Sequence, residues 1–162
     1  MRKKVLCFAL VTLILLASIS TAFASSPSES EWRTFPYLRR GRAGYPVRAL
    51  QQVLLGSYVY CYMVLDSAGG ADGSFGPKTE DAVMYFQKQQ GLTQDGLVGK
   101  NTWGALSHYV YFTGTYEGGC PLYKVRSMPG SSLMYTVFRR VSSTHWQYRK
   151  PGSSSLYDIV NN

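Results

Sequence analysis

The sequence predicts a mainly α fold, a compact bundle of three short helices followed by a short C-terminal extension that is β-rich or partly disordered. Three observations predict it. A motif of the form D-G-x-φ-G-x-x-T-x-x-A-φ (φ apolar) occurs twice, at residues 72–83 and 95–106, with the copies 23 residues apart. Apolar residues recur at helical spacing around Pro46 and again after Pro77. After Ser107 the composition changes to Tyr, Ser and Arg in alternating runs.

Each copy of the repeat describes one physical object, a tight turn that drops an apolar side chain inward and then launches a helix. Asp bonds nearby backbone amides and Gly accepts positive φ, so Asp-Gly favours the turn. Pro77 suits a first helical position, where its missing N–H is unpaired anyway.

The first helix is expected from Pro46. Val47, Leu50, Val53 and Leu54 share its apolar face, and Arg48, Gln51 and Gln52 are placed largely away from it. Residues 56–71 are apolar and aromatic around Cys61 and read equally as a strand, a helix extension or a buried loop. The second helix runs from Pro77 to Gln90 with Thr79, Ala82, Val83 and Phe86 buried and Gly91 ending it. The third spans Asn101 to Leu106, with Trp103 and Leu106 supplying its contacts. Beyond it, strands are expected at 122–126, 134–141, 145–150 and 156–160, as a small meander or hairpin pair. Pro-Gly-Ser-Ser occurs between them at 129–132 and 151–154.

The N-terminus reads as a secretory signal over residues 1–24: Arg2, Lys3 and Lys4, an apolar run from Val5 to Leu16, then Ala22-Phe23-Ala24. The apolar run is short for a membrane span, and no second one follows it. Residues 25–37 are expected to be a flexible leader, 38–107 the bundle and 108–162 the extension. Without the signal the chain carries 14 Lys and Arg against 9 Asp and Glu, a net charge of about +5. That suits an anionic surface such as a wall polymer, or an ordinary solvated face. No basic helix or Arg-rich run points to nucleic acid. Cys61 and Cys120 remain, either as one disulfide or as two free, partly buried thiols. A bridge would close a loop of about sixty residues and add on the order of 4 kcal/mol.

Leu38–Gly41, Val47–Gln52, Asp72–Val83, Phe86-Gln87, Gly91–Gly99 and Thr102-Trp103, in that order and register, resemble the peptidoglycan-binding domain family. The resemblance covers residues 38–107 and implies a three-helix module that docks bacterial peptidoglycan. The segment between Gln52 and Asp72 departs from it, being longer and more aromatic. It is expected either to reshape the binding face or to clasp the extension through Cys61 and Cys120. The ligand combines sugar faces with lactyl and peptide carboxylates. Aromatic rings can stack on the sugars, and amides at glycine turns and helix starts can receive carboxylates. Candidate ligand-binding residues are therefore Tyr45, Asp72, Gly73, Gly76, Tyr85, Asp95 and Gly96, with Tyr58, Tyr60 and Tyr62 as further aromatics. Asp72 and Asp95 read more readily as turn-formers, and Phe75, Val83, Phe86, Val98 and Trp103 as core.

No catalytic constellation is visible. His108 and His145 are 37 residues apart without metal-ligand spacing, Cys120 lacks the scaffold of a cysteine transpeptidase, and the extension carries only Glu117 and Asp158 as acids. No metal or cofactor is expected. The leading expectation is a secreted, non-catalytic cell-wall binding protein. The alternatives are a wall-tethered protein whose extension recruits a wall enzyme or other partner, and an accessory part of a cell-wall hydrolase.

Overall fold

A computed structural model describes residues 27–126, 137–149 and 153–159. The signal segment, the first Pro-Gly-Ser-Ser run and residues 134–136 of the strand expected at 134–141 lie outside them, as does Pro151-Gly152 of the second run. Among the described residues, five helices precede a sheet: α1 (Glu29–Trp32), α2 (Tyr45–Leu55), α3 (Val59–Asp66), α4 (Pro77–Gln89) and α5 (Lys100–Ser107). The strands are β1 (Val110–Glu117), β2 (Cys120–Val125), β3 (Val137–Arg140), β4 (Trp146–Arg149) and β5 (Leu156–Ile159).

The three expected helices are α2, α4 and α5. Pro46 and Pro77 sit in their first turns, and Thr79, Ala82, Val83 and Phe86 are buried along α4. Phe75 and Val98, the apolar residues of the two turns, are buried, each worth about 2 kcal/mol as a transfer term. Short antiparallel bridges pair Ala43 with Ser74 and Leu38 with Val98, so both turns close on the segment between α1 and α2.

The mainly α expectation is corrected: the fold is α plus β. The region after Ser107 is not a short extension but a five-stranded antiparallel meander in the order β1-β2-β3-β4-β5. Residues 110–117 form a strand that the sequence did not reveal, bulged between Phe112 and Tyr116 near Gly114, whose φ is 78°. Two further helices join the expected three. The aromatic segment after Gly56 is helix α3, and the expected flexible leader contains α1, whose Trp32 is fully buried.

The sheet is amphipathic at period two. Phe112, Tyr123, Phe138, Tyr148 and Tyr157 face one another directly across the five strands, forming a continuous aromatic row on the inner face. Trp146 lies on the same face, two residues before Tyr148. Phe138 and Trp146 pack against Trp32 of α1, and Tyr148 and Tyr157 against Tyr45 of α2. Trp32 contacts Phe35, Trp103, Phe138 and Trp146 with ring centroids 5.0–6.0 Å apart, mostly in the edge-on or tilted geometries that aromatic quadrupoles favour. The helices and the sheet therefore share one core. At Gly56 the two come close together. A Cβ there would lie 2.4 Å from the carbonyl oxygen of Arg126 and from Val125 Cγ1. Arg140, which points inward from β3, is neutralised at the rim by an ion pair with Glu31 just inside α1.

The disulfide expectation is also corrected. Cys61 and Cys120 are both free thiols. Cys61 is buried between α3 and α4, its Sγ 3.4 Å from the carbonyl oxygen of Ala82, while Cys120 opens β2 in the part-exposed rim of the sheet. The helices and sheet are joined by aromatic packing rather than by a covalent clasp.

Candidate functional site

The two Asp-Gly turns have the same internal wiring, and each is organised by a buried glutamine. Gln51 Nε2 donates to Asp72 Oδ1 at 2.8 Å, to the Ser74 carbonyl at 3.0 Å and to Thr79 Oγ1 at 3.0 Å. Its Oε1 accepts the Gly73 amide at 2.8 Å. Gln87 repeats this with Asp95 Oδ1 (2.8 Å), the Leu97 carbonyl (2.9 Å), Thr102 Oγ1 (3.2 Å) and the Gly96 amide (3.0 Å). Asp72 and Asp95 also accept the amides of Ser74 and Leu97. Both aspartates are thus turn-formers, with Gly73 and Gly96 at positive φ. The helical spacing puts Gln51 largely away from the apolar face, yet it is 1% exposed, because its amide replaces the backbone partners that a turn lacks. The readable signal is an apolar-Gln pair, Leu50-Gln51 on α2 with α3 between it and Asp72, and Phe86-Gln87 on α4 directly before Asp95.

This wiring removes one expected role. The amides of residues 72–76 all donate within the chain: Asp72 to Gly70, Gly73 to Gln51, Ser74 to Asp72, Phe75 to Arg42 and Gly76 to Ser74. None of the five is left to receive a carboxylate.

The candidate residues separate into different places. Tyr45, Asp72 and Gly73 line one concavity of about 500 Å³ together with Arg48 and Tyr157. Asp95 lines a second, of about 410 Å³, with Tyr37, Lys100 and Asn101. Gly76 is the N-cap of α4 and lines neither. Gly96 is packed behind its turn, where a Cβ would come within 2.9 Å of Glu80 Cγ. Tyr85 stacks on Tyr60 at 4.4 Å, beside a triad in which Gln90 Nε2 donates to Tyr58 and Tyr109 and the Tyr109 hydroxyl donates to Tyr58. Burial, and then the Tyr58 hydroxyl, push the Tyr109 phenol above its ordinary range.

Two residues of the first concavity were not anticipated. Arg48 Nη2 donates to the Asp72 carbonyl at 2.7 Å and has no carboxylate partner among the described residues. Tyr157, the last member of the aromatic row, stacks on Tyr45 at 4.4 Å with an interplanar angle of 27°. No local sequence signal pairs Tyr157 with Tyr45; only the closure of the sheet onto α2 does. Among the described residues, no group of three or more His, Cys, Asp or Glu is placed to hold a metal ion, and no helix is long and apolar enough to cross a membrane.

A family model described as "Putative peptidoglycan binding domain" matches residues 43–106, which span both turns and helices α2 to α5. Residues 43–106 are a domain of the peptidoglycan-binding family. Two amidases match the chain over the region of this domain. The chain is 36% identical over 83 residues to the N-acetylmuramoyl-L-alanine amidase CwlL of Bacillus licheniformis, covering 51% of this chain and 22% of that protein. A probable N-acetylmuramoyl-L-alanine amidase of the same organism is 34% identical over 84 residues, 52% of this chain and 22% of its own length. The chain thus spans about a fifth of each amidase. An uncharacterized protein in the bpoA1 3'region of Kitasatospora aureofaciens is 38% identical over 92 residues, covering 55% of this chain and 73% of that protein. The domain and the amidase matches support association with the cell wall and peptidoglycan as a partner.

Proposed function

We propose that this chain is a secreted, non-catalytic protein that docks on bacterial peptidoglycan through the face bearing the first Asp-Gly turn. The observation that carries this reading is the peptidoglycan-binding domain at residues 43–106, folded around both glutamine-held turns. The non-catalytic reading is supported by what the amidases share with the chain, a stretch of about 83 residues amounting to 22% of CwlL. Secretion is supported by the basic, apolar and Ala-x-Ala succession at residues 2–24.

Sedimentation with purified insoluble peptidoglycan tests the docking. The whole chain is expected in the pellet, and a chain that stays in the supernatant at low salt overturns the reading. The same wall material carrying a covalent dye tests the non-catalytic part, since dye released above background would identify a hydrolase. The intact protein is needed in both assays, because ending the chain at Ser107 would uncover Trp32 and Phe35. N-terminal sequencing of the product in culture medium is expected to begin at Ser25.

A further inference from the structure

The first concavity is built from two parts of the fold. Tyr45, Arg48 and Asp72 come from the peptidoglycan-binding domain, and Tyr157 comes from β5. Tyr157 closes a row of rings that crosses all five strands, so the sheet's inner face ends in an aromatic side chain laid against α2. The preceding ring, Tyr148, is buried, and burial pushes its phenol up to about 12. Tyr45 by contrast is 48% exposed. The Tyr45–Tyr157 stack therefore stands at the boundary between core and solvent, an apolar surface with one member open to a ligand.

The charges beside it are selective. Arg48 is oriented by the Asp72 carbonyl, a neutral acceptor, and keeps its positive charge available. A guanidinium held in place this way is suited to a carboxylate. Asp72 contributes a negative charge to the same wall, which opposes polyphosphate chains and favours a ligand with one carboxylate among neutral hydroxyls. The apolar C–H face of a pyranose matches the Tyr stack, and a lactyl or peptide carboxylate on that sugar would reach toward the cation.

We propose that Tyr157 and Tyr45, together with Arg48, form a bipartite subsite for a carboxylate-bearing sugar of the wall glycan, so that the C-terminal sheet is part of the binding surface. This rests on the wall-docking reading and extends it to a region outside residues 43–106.

The test is calorimetric titration of the whole chain with three soluble probes: a disaccharide-tripeptide muropeptide, the same compound with its carboxylates reduced to alcohols, and a neutral N-acetylglucosamine tetramer. Tyr157→Ala is expected to weaken the first two probes about fivefold, the size of an aromatic contact. Arg48→Gln is expected to weaken the acidic muropeptide about tenfold and leave the reduced form unchanged. Tyr45→Ala, at an exposed position, should reproduce the Tyr157→Ala loss and carries the test if Tyr157→Ala disturbs the sheet. Tyr37→Ala, in the second concavity, should bind as the unaltered chain does. Unchanged affinity in Tyr45→Ala, Tyr157→Ala and Arg48→Gln, with the unaltered chain still binding wall, overturns the bipartite subsite alone. Equal losses for acidic and reduced probes in Arg48→Gln overturn its carboxylate specificity. An unaltered chain that binds neither the muropeptide nor insoluble peptidoglycan overturns the docking reading itself.

Discussion

The two Asp-Gly turns are alike inside and different outside. Gln51 and Gln87 hold them with the same set of four hydrogen bonds. Yet the first opens onto Tyr45, Arg48 and Tyr157, and the second onto Tyr37, Lys100 and Asn101. The difference lies in what packs nearby. The sheet reaches α2 through β5 and walls the first turn. A duplicated scaffold thus acquires distinct surfaces without changing its internal wiring, because buried hydrogen bonds constrain the turn and leave its rim free to vary.

The largest effect is expected from breaking the shared wiring. Gln51→Ala and Gln87→Ala each leave buried partners without a hydrogen bond, so each should cost about 3 kcal/mol in chemical denaturation. The internal equivalence predicts similar losses for the two. A large stability loss in one with almost none in the other would show that the turns are not energetically equivalent.

Next in size is the joint between helices and sheet. Gly56→Ala places a methyl group 2.4 Å from the Arg126 carbonyl oxygen, and backbone cannot yield as a side-chain tip can. A destabilisation of about 2 kcal/mol is expected. If thermal unfolding of this variant matches the unaltered chain, the close packing of α2 on β2 is wrong.

Smaller, and chemical rather than energetic, is the contrast between the thiols. Burial pushes Cys61 up to about 11, so in the chain lacking residues 1–24 a thiol reagent at mild alkaline pH should titrate one cysteine, Cys120. Two should appear after denaturation. The sign for stability follows: the folded state keeps the Cys61 proton where the unfolded chain loses it. This contribution is intact below the ordinary thiol range and declines as pH rises toward 11.

The smallest effect belongs to the sheet rim. His145 Nε2 and Gln147 Nε2 donate to Asp158 Oδ1, both at 2.8 Å, and hold its carboxyl below the usual range. Because the folded value is depressed, the contribution is present above the ordinary carboxylate range and fades as pH falls through the lowered value. Replacing His145 with Ala should raise the Asp158 titration midpoint seen by NMR, with little change in global stability.

Much of the helical half was legible. Asp-Gly, the Pro at the first helical position and the i, i+3, i+4, i+7 spacing on α4 are local rules, and the helices at 45–55, 77–89 and 100–107 follow them. Helix α3 was not legible, because Val59 to Asp66 has apolar residues on all sides and shows no amphipathic period. Trp32 sits in a short, polar, Pro-flanked stretch, and only its partners Trp103, Phe138 and Trp146 reveal it as core. Of the candidate residues, Asp72 and Gly73 come from the motif and Tyr45 from its aromatic ring, and the fold brings the three to one concavity, whereas the polarity of Gln51 reads as exposure although the residue is buried.

By itself, the amino-acid sequence determined the features that depend on neighbours along the chain: the paired turns, the helices they launch and the strand periodicity of the C-terminal runs. Tertiary structure alone decided which ring meets which, that the sheet shares a core with the helices, that the two thiols stay apart, and that Tyr157 comes to rest on Tyr45. The physical reason is range. Turn chemistry and amphipathic spacing act over a few residues, whereas the Tyr45–Tyr157 contact joins residues 112 positions apart and exists only once five strands have paired in register.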